Sequence, residues 1–313
     1  MSRTFAKLAA LLAAGTLALS ACSTATPASP GASAPAASSI KIGMAISTLN
    51  NPFFVSLQDG AKKEADAKGV QLTITDARDD ATQQANQLQN FAAQQMNVVL
   101  INPVDSDAAG AMVAPLNASK IPVIAVDRAV IGAEVNSLVA SDNVAGGRLA
   151  AEALAQAIGE KGEVLVLQGV AGTSASRERG QGFTEGIAAF SDIKVVAKQP
   201  ADFDRTKGLD VTTNLLQANP NVVGIFAEND EMALGALKAL GDRAGKSVFV
   251  VGFDGTADGI DAIKAGGMHA SIAQQPEELG RAAVEAAVKV ANGETLPATI
   301  AVPVTVITKD NAK

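Results

Sequence analysis

The chain has 313 residues with 48% hydrophobic side chains, a formal charge of −7 and a single cysteine. This excludes a disulfide framework and a disordered acidic chain, and the lack of any Lys/Arg cluster argues against nucleic acid. Trp and Tyr are absent, so Phe is the only ring with which the chain can stack on a ligand.

At the N-terminus, Arg3 and Lys7 precede an apolar run from Leu8 to Leu19 that is too short for a membrane span. It ends in Leu19, Ser20, Ala21 and Cys22, a sequence similar to a bacterial lipobox, whose cysteine is lipidated and becomes the mature N-terminus. The alternative is a plain secretory signal with an incidental cysteine. Residues 23–39 hold only small residues and Pro, with no charge and no large apolar side chain, and predict a flexible tether. Loss of Arg3 and Lys7 takes the 25 basic residues to 23 against 32 acidic ones, a charge of −9 on the exported form.

From Ile40 onward, short β-branched runs alternate with longer amphipathic segments. IKIGMAI (40–46) predicts a strand, and Pro52 to Lys68 a helix with Asn51 as its cap and Phe53, Leu57, Ala61 and Ala65 as its buried stripe. Strands follow at VQLTI (70–74), NVVLIN (97–102), IPVIAV (121–126) and VNSLVA (135–140). After a long helix from near Asn143 the rhythm restarts near Gly162, with strands at EVLVLQG, IKVVA, VVGIFA, SVFVVG and HASIAQ. The pattern is α/β, with parallel sheets covered on both faces and a length natural for two lobes. Whether the last helix (276–292) and a final strand near 301–308 return to the first lobe is open at this level.

In open α/β sheets, ligands lie beyond the carboxyl ends of the strands. Those positions hold Ser47, Asn51, Phe53 and Phe54; then Asp127 and Arg128; then Arg177 or Arg179; then Asp202, Phe203 and Asp204. Glu228, Asn229 and Asp230, Phe253 and Asp254, and Gln274 complete the set. Carboxylates, guanidiniums and amides can each bond a hydroxyl, while rings cover C–H faces. Asp127 and Asp254 balance Arg128 and Arg179, which suits a neutral polyol better than a phosphate or carboxylate. Taken singly, each has a plainer reading: the rings as core, the aspartates as helix caps, the arginines as a solvated face. No Gly-x-x-x-x-Gly-Lys, Gly-x-Gly-x-x-Gly or Gly-x-Ser-x-Gly motif is present, and His269 is the sole histidine. No cofactor, metal site or enzymatic activity is therefore expected.

The runs STLNNPFFVSL, LINP, ASDNV, AGTSA, RERG, QPADFDR, NDEMALGAL and VVGFDGT carry a resemblance that extends from about Ile40 to Lys309. Across this span the chain resembles the bacterial periplasmic D-ribose-binding proteins, the sugar-binding components of ABC importers. The resemblance implies the type I periplasmic binding protein architecture: two Rossmann-like three-layer lobes, joined by a three-strand hinge, closing on a sugar. It implies a signal peptide over 1–22, a tether over 23–39, an N-terminal lobe of 40–140 plus 275–302, and a C-terminal lobe of 141–274 plus 303–313. The implied ligand contacts are rings at Phe53, Phe54 and Phe203 with Phe253 nearby. The polar set is Asn51, Asp127, Arg128, Arg179, Asn229, Asp254 and Gln274; the Arg-x-x-Gly-Phe pattern selects Arg179 over Arg177. Glu228 departs from the family, standing where a neutral glutamine is expected, and Cys22 departs from its soluble members.

The implied function is D-ribose capture and delivery to an ABC permease and its ATPase by a monomer without cofactor. The protein would be exported and lipid-anchored through Cys22 to the outer face of the cell membrane, or periplasmic. Another pentose, a hexose or a furanose signal such as autoinducer-2 is the alternative ligand. A sugar-responsive repressor would need a basic DNA-binding segment before the first strand, where this chain has an uncharged linker.

Overall fold

The computed structural model describes residues 40–313, so the expected export signal, Cys22 and the expected tether lie outside the described residues. Elements follow in the order β1 (Lys41–Ile46), α1 (Pro52–Lys68), β2 (Gln71–Asp76), α2 (Ala81–Ala93), β3 (Val98–Ile101), α3 (Ser106–Ala118), β4 (Val123–Val126) and β5 (Ser137–Ser141). The second run is α4 (Asn143–Ala157), β6 (Lys161–Gln168), α5 (Ser174–Ile187), β7 (Asp192–Pro200), α6 (Arg205–Ala218), β8 (Val222–Ala227), α7 (Asp230–Leu240), β9 (Phe249–Asp254), α8 (Ala257–Lys264) and β10 (Ala270–Ala273). The chain closes with α9 (Pro276–Ala291), β11 (Thr299–Val302) and β12 (Thr305–Thr308). Among the described residues no helix is long and apolar enough to cross a membrane.

Two six-stranded sheets result, ordered β11-β5-β4-β3-β1-β2 and β12-β10-β9-β8-β6-β7. All pairings are parallel except β12, which runs antiparallel to β10. The single strand expected near 301–308 is two strands in different sheets. Pro303, which has no amide hydrogen to give a ladder, lies between them. The chain thus passes between sheets three times: after β5, after β10 and after β11.

Each sheet is covered on both faces, as parallel sheets require. In the first lobe Ile42, Met44 and Ile46 of β1 pack with Leu57 and Leu279 from α1 and α9, while Ala45 faces Leu88, Phe91 and Val113. In the second, Leu154, Phe183, Phe226 and Phe253 fill the α4–α5 side and Met232, Leu240 and Val250 the other. Strands β3 and β4 are buried at every position, which explains their unbroken apolar sequence.

Helix α1 begins as its sequence predicts, with Asn51 Oδ1 accepting from Phe53 N at 2.9 Å, and ends at Gly69 in the left-handed region. Helix pairs cross at small residues. Where α4 meets α5, a Cβ on Gly182 would fall 2.0 Å from the Val144 carbonyl oxygen, and one on Gly147 would fall 2.3 Å from that of Arg179. These glycines let two backbones touch, and the crossing sets where Arg179 stands.

Candidate functional site

The carboxyl ends of the strands in both sheets face one small cavity. Asn51, Phe53, Phe54, Asp127 and Arg128 line it from the first lobe; Arg179, Phe203, Asn229 and Asp254 line it from the second, with Gln274 where β10 leads into α9. Ala175, at the start of α5, completes the wall and was not anticipated, because a methyl carries no chemical signal in the sequence.

The plainer readings separate cleanly. Asn51 and Asn229 are helix caps, but only Asn51 has its amide nitrogen left over; Asn229 Nδ2 donates to the Phe203 carbonyl at 3.2 Å. Asp127 and Asp254 cap nothing: strand β5, not a helix, follows Asp127, and Thr256 caps the helix α8 that follows β9. Arg177 is exposed and pairs with Asp107 at 3.0 Å, whereas Arg179 is 3% exposed and faces the cavity.

Arg179 is held on four sides. Nε donates to Asn143 Oδ1 at 2.9 Å and Nη1 to the Glu228 carbonyl at 2.7 Å, with Asp254 Oδ1 at 3.5 Å. Its guanidinium carbon lies 3.9 Å from the centre of the Phe253 ring. Phe253 is therefore not a wall of the cavity: it is fully buried in the second lobe's core and supports Arg179 from beneath. A cation stacked on a desolvated ring gains about 2 kcal/mol.

Arg128 is fixed by Nη1 donating to the Pro103 carbonyl at 2.9 Å, and lies between the Phe54 and Phe203 rings at 5.2 and 5.5 Å. Asp127 Oδ2 is 3.8 Å from its Nε. Burial pushes the Asp127 carboxyl up and the Arg128 guanidinium down, each partly offset by the other's charge. Burial also raises Asp254 well above the carboxylate range, with Arg179 opposing. Asp127, Phe203 and Asp254 all have positive φ, at 64°, 59° and 116°. Strain of about 1–3 kcal/mol per residue is characteristic of positions held for function.

Three buried atoms of residues in this wall have no hydrogen-bond partner within the protein: Asp127 Oδ1, Arg128 Nε and Gln274 Oε1. Two acceptors and one charged donor left buried are costly unless water or a ligand satisfies them.

Glu228 does not face the cavity. It is fully buried behind the first turn of α5, where Oε2 accepts from Gly169 N at 2.8 Å and from the Ser176 hydroxyl. The balance of Asp127 and Asp254 against Arg128 and Arg179 at the wall is thus undisturbed. Burial pushes its carboxyl from 4.5 to about 7, against the pull of Gly169, Ser176 and Arg179. The folded state then holds this proton more tightly than the unfolded chain, so the stability it contributes is present below pH 4.5 and lost as pH rises through about 7. Glu228→Gln mimics the protonated form. It is expected to stabilise the protein at pH 8 by on the order of 1–2 kcal/mol, after the cost of an unmatched amide N–H, and to change little at pH 5. Thermal melts at the two pH values check this, and an equal shift at both would contradict it.

Residues 42–295 match the periplasmic binding protein domain family. The chain is 50% identical over 268 residues to the ribose import binding protein RbsB of Salmonella typhimurium, covering 86% of this chain and 90% of that one. It is 47% identical over 262 residues to RbsB of Bacillus subtilis, covering 84% and 85%. Among solved structures, an ABC transporter periplasmic solute binding protein from Actinobacillus succinogenes with bound D-allose superposes with a TM-score of 0.81 at 34% identity. It covers 87% of this chain and 99% of that one. The chain belongs to the periplasmic binding protein domain family.

Proposed function

We propose that this protein is the substrate-binding component of an ABC importer, and that it binds D-ribose between its lobes and delivers it to a permease served by an ATPase. It is a binding protein and not an enzyme. The observation that carries the reading is the set of Asp127 Oδ1, Arg128 Nε and Gln274 Oε1, buried without hydrogen-bond partners on residues that line one cavity. A sugar hydroxyl can donate to either acceptor and accept from the guanidinium, with no net charge brought in. Phe53, Phe54 and Phe203 cover the C–H faces of the ring, Arg179, Asn229 and Asp254 complete the contacts, and Asn51 offers the amide nitrogen its capping role leaves over.

Identity of about half the aligned residues to RbsB relatives favours ribose. The D-allose in the Actinobacillus neighbour keeps another monosaccharide as the second reading. Thermal shift against a panel of pentoses and hexoses decides between them: D-ribose is expected to give the largest shift, and a larger shift with D-allose and none with ribose would overturn the choice.

The receptor acts as a monomer held at the outer face of the cell membrane by a lipid on Cys22, supported by the Leu-Ser-Ala-Cys sequence and the uncharged segment after it. Cys22→Ala is expected to move the protein from the membrane to the soluble fraction with ribose affinity unchanged. Undiminished membrane association would contradict the anchor.

A further inference from the structure

A sugar cannot enter the cavity as it stands. Phe54, Asp127, Arg179 and Asn229 are all buried, and the walls come from two lobes joined only where the chain passes between the sheets. The lobes must part for loading, so contacts across the cleft that never touch the sugar still enter its affinity: they stabilise the closed form alone.

One such set is built from two helix starts. Ser106 and Ser174 are the first residues of α3 and α5, and first-turn amides have no acceptor within their own helix. Here each finds one in the opposite lobe: Ser106 N donates to the Gly172 carbonyl at 2.9 Å, and Ser174 N donates to Ser106 Oγ at 3.1 Å. Ser174 Oγ in turn accepts from Ala129 N at 2.8 Å. Ser106 is fully buried, and none of these residues lines the cavity. The lobes meet so closely that a Cβ on Gly172 would lie 2.1 Å from Asp105 Oδ2. Asp105 cannot swing away freely, because its Oδ1 caps α3 by accepting from Asp107 N and Ala108 N at 2.8 and 2.9 Å. The outer Arg177–Asp107 pair is exposed and adds little.

We infer that Ser106, Gly172 and Ser174 form a latch that sets ligand affinity by stabilising the closed form, without contacting the ligand. The inference rests on the reading of the cleft as a sugar site. In the open form water solvates the amides of Ser174 and Ala129, so deleting a serine hydroxyl weakens only the closed form, where an N–H is left buried and unpaired. Gly172 has no positive φ, so alanine there is unstrained until the lobes close.

The test is stopped-flow binding of D-ribose to the wild type, Ser106→Ala and Gly172→Ala, with melting temperatures taken without sugar. Ser106→Ala is expected to raise the dissociation rate on the order of ten-fold with the association rate unchanged. Gly172→Ala is expected to weaken binding further, and both should melt without sugar within about 2 °C of the wild type. Small-angle scattering at saturating ribose should show Ser106→Ala as compact as the wild type. Unchanged dissociation in both variants, or a loss carried by the association rate, would overturn the latch. Absence of ribose binding to the wild type would instead overturn the sugar reading beneath it.

Discussion

Replacing Arg179 with alanine is expected to weaken D-ribose binding on the order of a thousandfold and to lower the melting temperature by several degrees. The first effect is electrostatic. Asp127 and Asp254 line one cavity with Arg128 and Arg179, and burial already disfavours both carboxylates. Removing one partner from a buried ionic set costs about 3–5 kcal/mol, which at 1.4 kcal/mol per decade is about two to three and a half orders of magnitude in affinity. The second effect follows from what else the side chain does. It ties the start of α4, through Asn143, to the end of β8, through the Glu228 carbonyl, and covers Phe253. Arg179→Lys should not rescue binding, because a point charge with rotating donors cannot replace a planar fork stacked on a ring. Calorimetry of both variants checks this; affinity within ten-fold of the wild type in Arg179→Ala would mean the guanidinium is not part of the site.

Gly182→Val is expected to cost the second lobe about 3 kcal/mol or more, with a fall of about 10 °C in melting temperature. A Cβ at this position would meet the Val144 carbonyl oxygen at 2.0 Å, and backbone cannot give way as a side chain can. Helices α4 and α5 would have to separate, and the Arg179 backbone, which Gly147 admits from the facing helix, would move with them. Gly267→Ala is the control: its Cβ would meet Leu237 at an ordinary 3.6 Å, so a change within about 1 kcal/mol is expected. A melting temperature for Gly182→Val within about 2 °C of the control would contradict the account of the crossing.

The order of strands and helices was legible because β-branched runs such as residues 98–101 are buried on both faces and have no polar alternation to blur them. The site was legible because strand ends are the one place in such sheets where Asp, Arg and Phe together are not needed for packing. The rest depends on contacts distant in sequence. Phe253 reads the same as Phe203, yet one faces the core under Arg179 and the other the cavity. Glu228 stands one residue from Asn229 but points behind α5, toward Gly169 and Ser176, which are more than fifty positions away. The latch of Ser106 and Ser174 has no local signature, since both residues read as ordinary first-turn serines. The glycine of the Arg-x-x-Gly-Phe pattern acquires its reason only when Val144 is seen against it.

Isothermal titration of the purified protein with D-ribose tests the central claim most directly. A neutral sugar that satisfies Asp127, Arg128 and Gln274 between closing lobes should bind one to one, with a Kd in the micromolar range or below and a favourable enthalpy from charge-assisted hydrogen bonds. No heat of binding with D-ribose at millimolar concentration, from protein that melts cooperatively, would contradict it.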